Sequence, residues 1–158
     1  MVLSALSFLA SMCMTAAPLH DGTRRCSCIG GPGFTSSANA AATAATFDAV
    51  FEGRVVSMRI EDDSTSPKTV FGYRDQHVVV TISIGQRWRG AAADTIVVRT
   101  TPITTMCGFT FKVDERFLVF ARNYKDRPYV DKCSPTAAWS AEAARAATLL
   151  GRPNGPPS

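Results

Sequence analysis

The middle of the chain alternates between short apolar runs and polar or glycine-containing breaks, which is typical of β-strands. The clearest run is HVVVTISIGQRW at 77–88, where β-branched residues predominate. Gly53 lies inside one of the runs and predicts a bulge or sharp coil, and Gly85 is an interior glycine of another run. The polar segment 61–68 predicts a surface loop. The remaining predicted strands are 49–56, 95–100, 108–111 and 117–121.

Two alanine-rich segments flank the strands and predict helices. The first covers 38–46 and has Ser36 or Ser37 as its N-cap. The second covers 135–150, where the opening proline suits the first helical position and Gly151 provides the stop. Four residues of the second segment are spaced to share one face: Trp139, Ala143, Ala146 and Leu150.

These elements predict a mainly β fold. The strands follow one another without intervening helices, which favours a small closed antiparallel barrel with a short N-terminal helix and a C-terminal helix. The length of 158 residues fits one domain, and a hydrophobic fraction of 46% excludes wholesale disorder. We place this domain at 26–150 and expect the Gly- and Pro-rich tail 151–158 to be disordered.

The first seventeen residues indicate export. Residues 1–17 are uncharged and mostly apolar and end in small residues, as a secretory signal peptide does. They fall short of the roughly 20 apolar residues that a membrane span needs, so we expect no stable membrane span. Met12 before Cys13 argues against a lipoprotein. Cleavage before Pro18 would leave an N-terminal extension, 18–25, on a secreted, extracellular or periplasmic protein.

The cysteine count supports the same compartment. Removing the signal peptide removes Cys13 and leaves an even set: Cys26, Cys28, Cys107 and Cys133. An exported domain with four cysteines predicts two disulfides. A Cys26–Cys28 bond would close a very tight ring, so the two pairings that join this pair to the distant cysteines are favoured. The alternative is a metal site, but the C-x-C spacing is not the C-x-x-C of zinc ribbons.

Catalytic and nucleic-acid signatures are missing from the sequence. The chain has two histidines, His20 and His77, and shows neither an H-E-x-x-H motif nor a phosphate-binding glycine loop. We interpret His77 as a structural strand residue and the acidic run 61–63 as solvated rather than cation-binding. A net charge of +4 is mild. We therefore expect no enzyme, no cofactor and no nucleic-acid partner, although three arginines lie near Trp88: Arg87, Arg89 and Arg99.

Several short motifs occur in a specific order. They are Cys26-Ser27-Cys28, VFEGRVVS at 50–57, Trp88-Arg89-Gly90, Cys107-Gly108-Phe109, FLVFA at 117–121, and Cys133-Ser134 followed by Trp139. Together they resemble the N-terminal domain of the tissue inhibitors of metalloproteinases, and more closely their single-domain bacterial relatives. The resemblance covers about 26–139. The second disulfide-rich domain of that family and the third disulfide of its first domain have no counterpart here.

The resemblance implies a Greek-key OB-fold barrel of the netrin-module type, cross-linked by the disulfides Cys26–Cys107 and Cys28–Cys133. It also implies a function, the inhibition of zinc metalloendopeptidases. In that family the first cysteine is the mature N-terminus, and its α-amino group and carbonyl oxygen chelate the zinc of the protease.

Carried over, Cys26 is the zinc-chelating residue, Ser27 enters the specificity pocket, and Thr105 and Met106 form a neighbouring contact. The zinc belongs to the target, so no metal or cofactor of this chain's own is implied.

The inhibitory chemistry needs a free amine on Cys26. Signal cleavage near Ala17 would leave the extension PLHDGTRR in front of it, whereas a trypsin-like cut after Arg24-Arg25 would expose it. The partner expected is therefore a zinc metalloprotease or another extracellular protein, bound by a monomer. The alternative function is a non-inhibitory secreted or surface module for protein binding or adhesion on the same fold.

Overall fold

The computed structural model describes residues 36–68, 70, 72, 75–90, 93–102 and 107–154. Two helices and six strands lie within these ranges, and the prediction of a mainly β chain with a helix towards each end is confirmed. The elements are α1 Ser37–Ala45, β1 Ala49–Asp62, β2 Gln76–Arg89, β3 Thr95–Thr100, β4 Arg116–Tyr124, β5 Arg127–Tyr129, β6 Ala137–Ala138 and α2 Ala141–Leu149.

The strand pairings run in a closed circuit. Strand β1 pairs antiparallel with both β2 and β4, β2 pairs with β3, and β4 pairs with β5 and β6. Strands β3 and β5 complete the circuit through one parallel pair, Arg99 with Tyr129. This parallel contact departs from the all-antiparallel expectation. Val130 N donates to Arg99 O at 2.8 Å beside it.

The predicted bulge between β1 and β2 is confirmed. The register shifts between Glu52 and Gly53, and Gly85 is the extra residue on β2. Both glycines are needed for close approach. A Cβ on Gly53 would lie 2.5 Å from Ser83 O, and one on Gly85 would lie 2.5 Å from a carboxylate oxygen of Glu52.

The prediction of a strand at 108–111 is wrong. Only Gly108 forms a bridge, with Asp131, and the Phe109 N–H donates to the Thr100 hydroxyl at 2.8 Å instead of to a strand. The physical reason is packing. Phe109, Phe111 and Phe117 form a cluster of edge-to-face rings with centroids 4.7–6.0 Å apart, in or against the core inside the strand circuit.

A second apolar cluster lies between the outer face of β4 and the helices. Its fully buried members include Leu118 and Phe120, and the predicted face of the second helix packs against it: Trp139, Ala143, Ala146 and Leu150. Ser36 is the N-cap of α1, which confirms one of the two predicted caps. Phe47, which follows α1, also belongs to this second cluster.

Helix α2 begins six residues later than its sequence predicts. Ser140 is the N-cap, with its hydroxyl accepting from Ala143 N at 3.2 Å, so Pro135 is not the first helical residue. The preceding residues extend along β4 instead, because β6 pairs with it and Trp139 N donates to Arg116 O at 2.8 Å.

Residues after α2 contact β2. Trp88 Nε1 donates to Gly151 O at 2.8 Å, and Asn154 donates through N to Arg87 O at 2.7 Å and through Nδ2 to Trp88 O at 2.6 Å. The composition of 151–158 predicts disorder, whereas 151–154 are held by these bonds. Within the described part of the chain, no helix has the length and apolarity needed to cross a membrane.

Candidate functional site

The outer face of β4 changes character along the strand. Leu118 and Phe120 are buried beneath the helices, and the alternation of the strand places Arg122 and Tyr124 next on the same face, where both are exposed. The guanidinium of Arg122 lies over the ring of Phe47, 4.5 Å from its centroid. Arg122 is therefore held beside the helical layer rather than extended into solvent.

Strands β5, β3 and β2 continue this surface. Tyr129 on β5 is the register partner of Arg122, and its ring centroid lies 5.7 Å from that of Tyr124. His77 on β2 and Thr101 after β3 lie further along the circuit. A cavity of about 440 Å³ is formed here, which we call the Arg122 cavity; its lining is Phe47, His77, Thr101, Arg122, Asn123, Tyr124, Tyr129, Asp131 and Ser134.

Arg122 is the chemically available cation of this cavity. Within the described ranges it forms no ion pair and no side-chain hydrogen bond, and its recorded contact is with the ring of Phe47. Its backbone neighbour is fixed, because Asn123 N donates to Asp48 Oδ2 at 2.7 Å. A guanidinium held in this way presents a planar set of N–H donors to an anion.

A smaller cavity of about 170 Å³ lies beyond the two tyrosines, beside the β1–β2 loop, and Asp63 organises its polar groups. Asp63 Oδ1 accepts from Thr65 N at 2.9 Å and from Thr65 Oγ1 at 2.6 Å. Asp63 Oδ2 lies 3.3 Å from His77 Nε2 and 3.5 Å from Lys125 Nζ. The Thr65 hydrogen bonds, then His77 and Lys125, hold the pKa of Asp63 well below its usual range.

His77 joins the two cavities and anchors the loop. Its side chain is 13% exposed, and its Nε2 lies within hydrogen-bond distance of the Asp63 carboxylate. Nδ1 is buried and has no hydrogen-bond partner. In the described ranges, no group of three His, Cys, Asp or Glu side chains is arranged to hold a metal ion, the acidic run 61–63 included.

The predicted inhibitory residues fall largely outside the described part of the chain. This applies to Cys26, Ser27, Cys28, Thr105 and Met106.

The two distal cysteines, by contrast, are described and lie in adjacent chain segments. Gly108 bridges to Asp131, and Lys132 N donates to Cys107 O at 3.1 Å, so the segment that carries Cys133 runs beside the one that carries Cys107.

The cysteine-bearing segment also forms a wall of the Arg122 cavity. Asp131 Oδ1 accepts from the backbone N–H groups of Cys133 and Ser134, both at 2.9 Å. Asp131 and Ser134 line the cavity themselves. The cavity and the cysteine pair therefore occupy one region of the molecule.

The sequence does not single out Arg122, Tyr124 and Tyr129 as site residues. Arg122 and Tyr124 follow the buried FLVFA run, so the one signal for them is the alternation of side chains along the strand, which puts both on the face of Leu118 and Phe120. Tyr129 had no such signal, because β5 is three residues long and contains Pro128. The sequence matches no family model and no curated protein.

Proposed function

We propose that this chain is a secreted, disulfide-stabilised inhibitor-type protein directed at zinc metalloendopeptidases. The observation that carries the proposal is that the segments holding Cys107 and Cys133, which are distant in sequence, run beside each other in the fold. The closed circuit of five strands, with helices packed outside it, supports the finer assignment of an OB-type barrel.

The segment Cys26-Ser27-Cys28, which we call the head, can form two disulfides only if its two distal partners lie close together. Residues two apart are separated by at most roughly 7 Å, so two bonds from Cys26 and Cys28 need partners that are neighbours. Cys107 and Cys133 lie in adjacent chain segments, which is compatible with this requirement. Both crossing pairings fit these neighbours; we propose Cys26–Cys107 and Cys28–Cys133 because the resemblance to the metalloproteinase inhibitors implies them.

The proposed chemistry is chelation of the metal in the target. The α-amino nitrogen and carbonyl oxygen of Cys26 bind the protease zinc and displace the water that would attack substrate. Ser27 enters the pocket beside that zinc, and Thr105 and Met106 add a contact next to Cys107. The chain itself contributes no metal.

Inhibition by two chains that differ in one residue tests this mechanism. The first chain begins at Cys26, and the second carries one alanine before Cys26. Because an acylated nitrogen is a poor zinc ligand, only the first should inhibit a panel of zinc endopeptidases. Equal melting temperatures would show that both are folded. A panel left fully active by the first chain would contradict the proposal.

A second candidate function is a non-inhibitory secreted module for protein binding or adhesion. The Arg122 cavity favours it, because it offers an unpaired cation and exposed tyrosine surface that zinc chelation does not use. N-terminal sequencing of the secreted protein separates the two. A mature chain that begins well before Cys26 supports the module, and one that begins at Cys26 supports the inhibitor.

A further inference from the structure

We propose that the Arg122 cavity binds a small aromatic carboxylate, with Arg122 holding the carboxylate and Tyr124 and Tyr129 contacting the ring. This site goes beyond the inhibitor function. It requires neither a free amine on Cys26 nor a zinc protease, because the side chains proposed to contact the ligand, Arg122, Tyr124 and Tyr129, lie on β4 and β5.

The anionic end of the ligand is argued from Arg122. Its guanidinium is stacked on Phe47 at 4.5 Å and is not committed to a carboxylate within the described ranges. Stacking orients the planar group, so less rotamer freedom is lost when two of its N–H donors meet a carboxylate. Two parallel hydrogen bonds to one planar anion are the contact that this group makes best.

The aromatic part of the ligand is argued from the tyrosine pair. The rings of Tyr124 and Tyr129 are 5.7 Å apart and inclined at 50°, and Tyr124 is 56% exposed. Tilted aromatic surfaces accept a further ring in an offset or edge-on arrangement. A volume of about 440 Å³ lies within the range of small-ligand sites and exceeds what an acetate-sized anion would fill.

Asp131 is the one lining residue whose charge opposes an anion. Its Oδ1 accepts hydrogen bonds from the N–H groups of Cys133 and Ser134 at 2.9 Å, which offsets part of that charge. The carboxylate beyond the tyrosines, Asp63, is paired with His77 and Lys125. The cavity therefore holds one cation and one carboxylate, and a carboxylate ligand fits better than an ammonium group because the Arg122 side chain makes no hydrogen bond within the described ranges, whereas Asp131 already accepts two from the backbone.

Titration calorimetry of the oxidised, full chain with four small probes tests the ligand class. We expect saturable binding of benzoate, and binding weaker by roughly tenfold or more for benzamide, acetate and benzylamine, because a charge-assisted pair and a ring contact each contribute on that scale. Benzamide that binds as well as benzoate would overturn the role of charge. Acetate that binds equally well would overturn the aromatic part, and stronger binding of benzylamine would assign the site to Asp131.

Matched variants test the residues. Arg122→Gln should weaken benzoate binding by roughly tenfold or more, and Arg122→Lys should give an intermediate loss because it keeps the charge without the planar fork. Arg127→Gln is the control, since Arg127 lines only the smaller cavity, and it should bind benzoate as the parent does. Tyr129→Leu should weaken benzoate while leaving acetate unchanged.

The melting temperature of each variant shows whether it is folded. If Arg122→Gln unfolds, Arg122→Lys and Tyr129→Leu decide the question. Benzoate binding within twofold of the parent in every folded variant, or no saturable benzoate binding by the parent below roughly 10 mM, would overturn the proposal.

Discussion

Glu52 is a buried carboxylate whose position depends on a glycine in the neighbouring strand. Its Oε1 accepts from Arg116 Nε at 2.8 Å, and this hydrogen bond raises the pKa of Arg116. The guanidinium also lies 4.6 Å from the centre of the Trp139 ring. Gly85 provides the space for the Glu52 carboxylate because it has no Cβ. The bulge therefore allows a charged group to be buried with its partner in place.

Gly85→Ala should destabilise the fold by about 1–3 kcal/mol. The new Cβ would lie 2.5 Å from the Glu52 carboxylate and would displace it from Arg116. Urea denaturation measures the loss. In a Glu52→Ala background the same substitution should cost much less, since the group it displaces is gone. Equal costs in the two backgrounds would show that the glycine serves another purpose.

Because of Asp63, the free energy of unfolding should fall at low pH. Its folded pKa lies below the unfolded value near 4, so the unfolded chain takes up the proton first as the pH falls. The stabilisation is complete above about pH 5 and is lost as the pH drops below about 4.

Asp63→Asn should therefore lower the denaturation midpoint at pH 6 and narrow the difference between pH 6 and pH 3. The control is Asp126→Asn, which removes an exposed carboxylate from the β4–β5 turn where Asn suits the positive φ of 59°. A pH profile of Asp63→Asn that parallels that of the parent would contradict this assignment.

At the scale of elements, helix α2 depends on a single N-cap. Ser140→Ala removes the acceptor for Ala143 N and should cost about 1 kcal/mol. Ser140→Asp should restore stability, because its carboxylate can take the same bond and favours a helix N-terminus. Thermal melts of the three proteins give the comparison. An alanine variant as stable as the parent would mean that Ser140 does not cap the helix.

The elements that sequence predicts best are those whose local pattern agrees with their packing. Strand β3 is found at the predicted 95–100, because its β-branched residues suit a strand paired on both sides. The start of α2 is missed because Ala137 and Ala138 pair with β4 instead of extending the helix. Strand β5 is missed because it is short and is defined only by its neighbours. Tertiary pairing overrides local propensity in both places.

At the scale of the whole molecule, the candidate site is assembled from segments that are distant in sequence. Phe47 follows α1, His77 is the second residue of β2, Arg122 lies near the end of β4 and Asp131 follows β5. The closed circuit of pairings brings these positions to one face, and no local pattern encodes that meeting. The cysteines differ, because a C-x-C motif with two distal cysteines in a chain expected to be exported already predicts cross-links, and the segments carrying the two distal cysteines are adjacent in the fold.

The proposed disulfide arrangement belongs to the scale of the whole molecule, and testing it also tests the proposed position of the head. Trypsin cuts after Arg25, Arg54, Arg99, Lys112, Lys132 and Arg145, so Cys26 and Cys28 share one peptide while Cys107 and Cys133 occupy separate ones. The proposed pairing predicts one species of three joined peptides under non-reducing conditions. Bonds Cys26–Cys28 and Cys107–Cys133 would instead leave the first peptide unattached, and that result would contradict the pairing.

Two measurements complete this test. In a variant with both Cys28→Ser and Cys133→Ser, the proposed pairing predicts a remaining Cys26–Cys107 bond. If the pairs are instead Cys26–Cys133 and Cys28–Cys107, Cys26 and Cys107 should stay reduced. Reduction of the parent should cost roughly 2–5 kcal/mol per bridge, because each bridge closes a long loop in the unfolded chain. A melting temperature that reductant leaves unchanged would show that the bridges do not stabilise the fold, and the head would then lack the anchor on which zinc chelation depends.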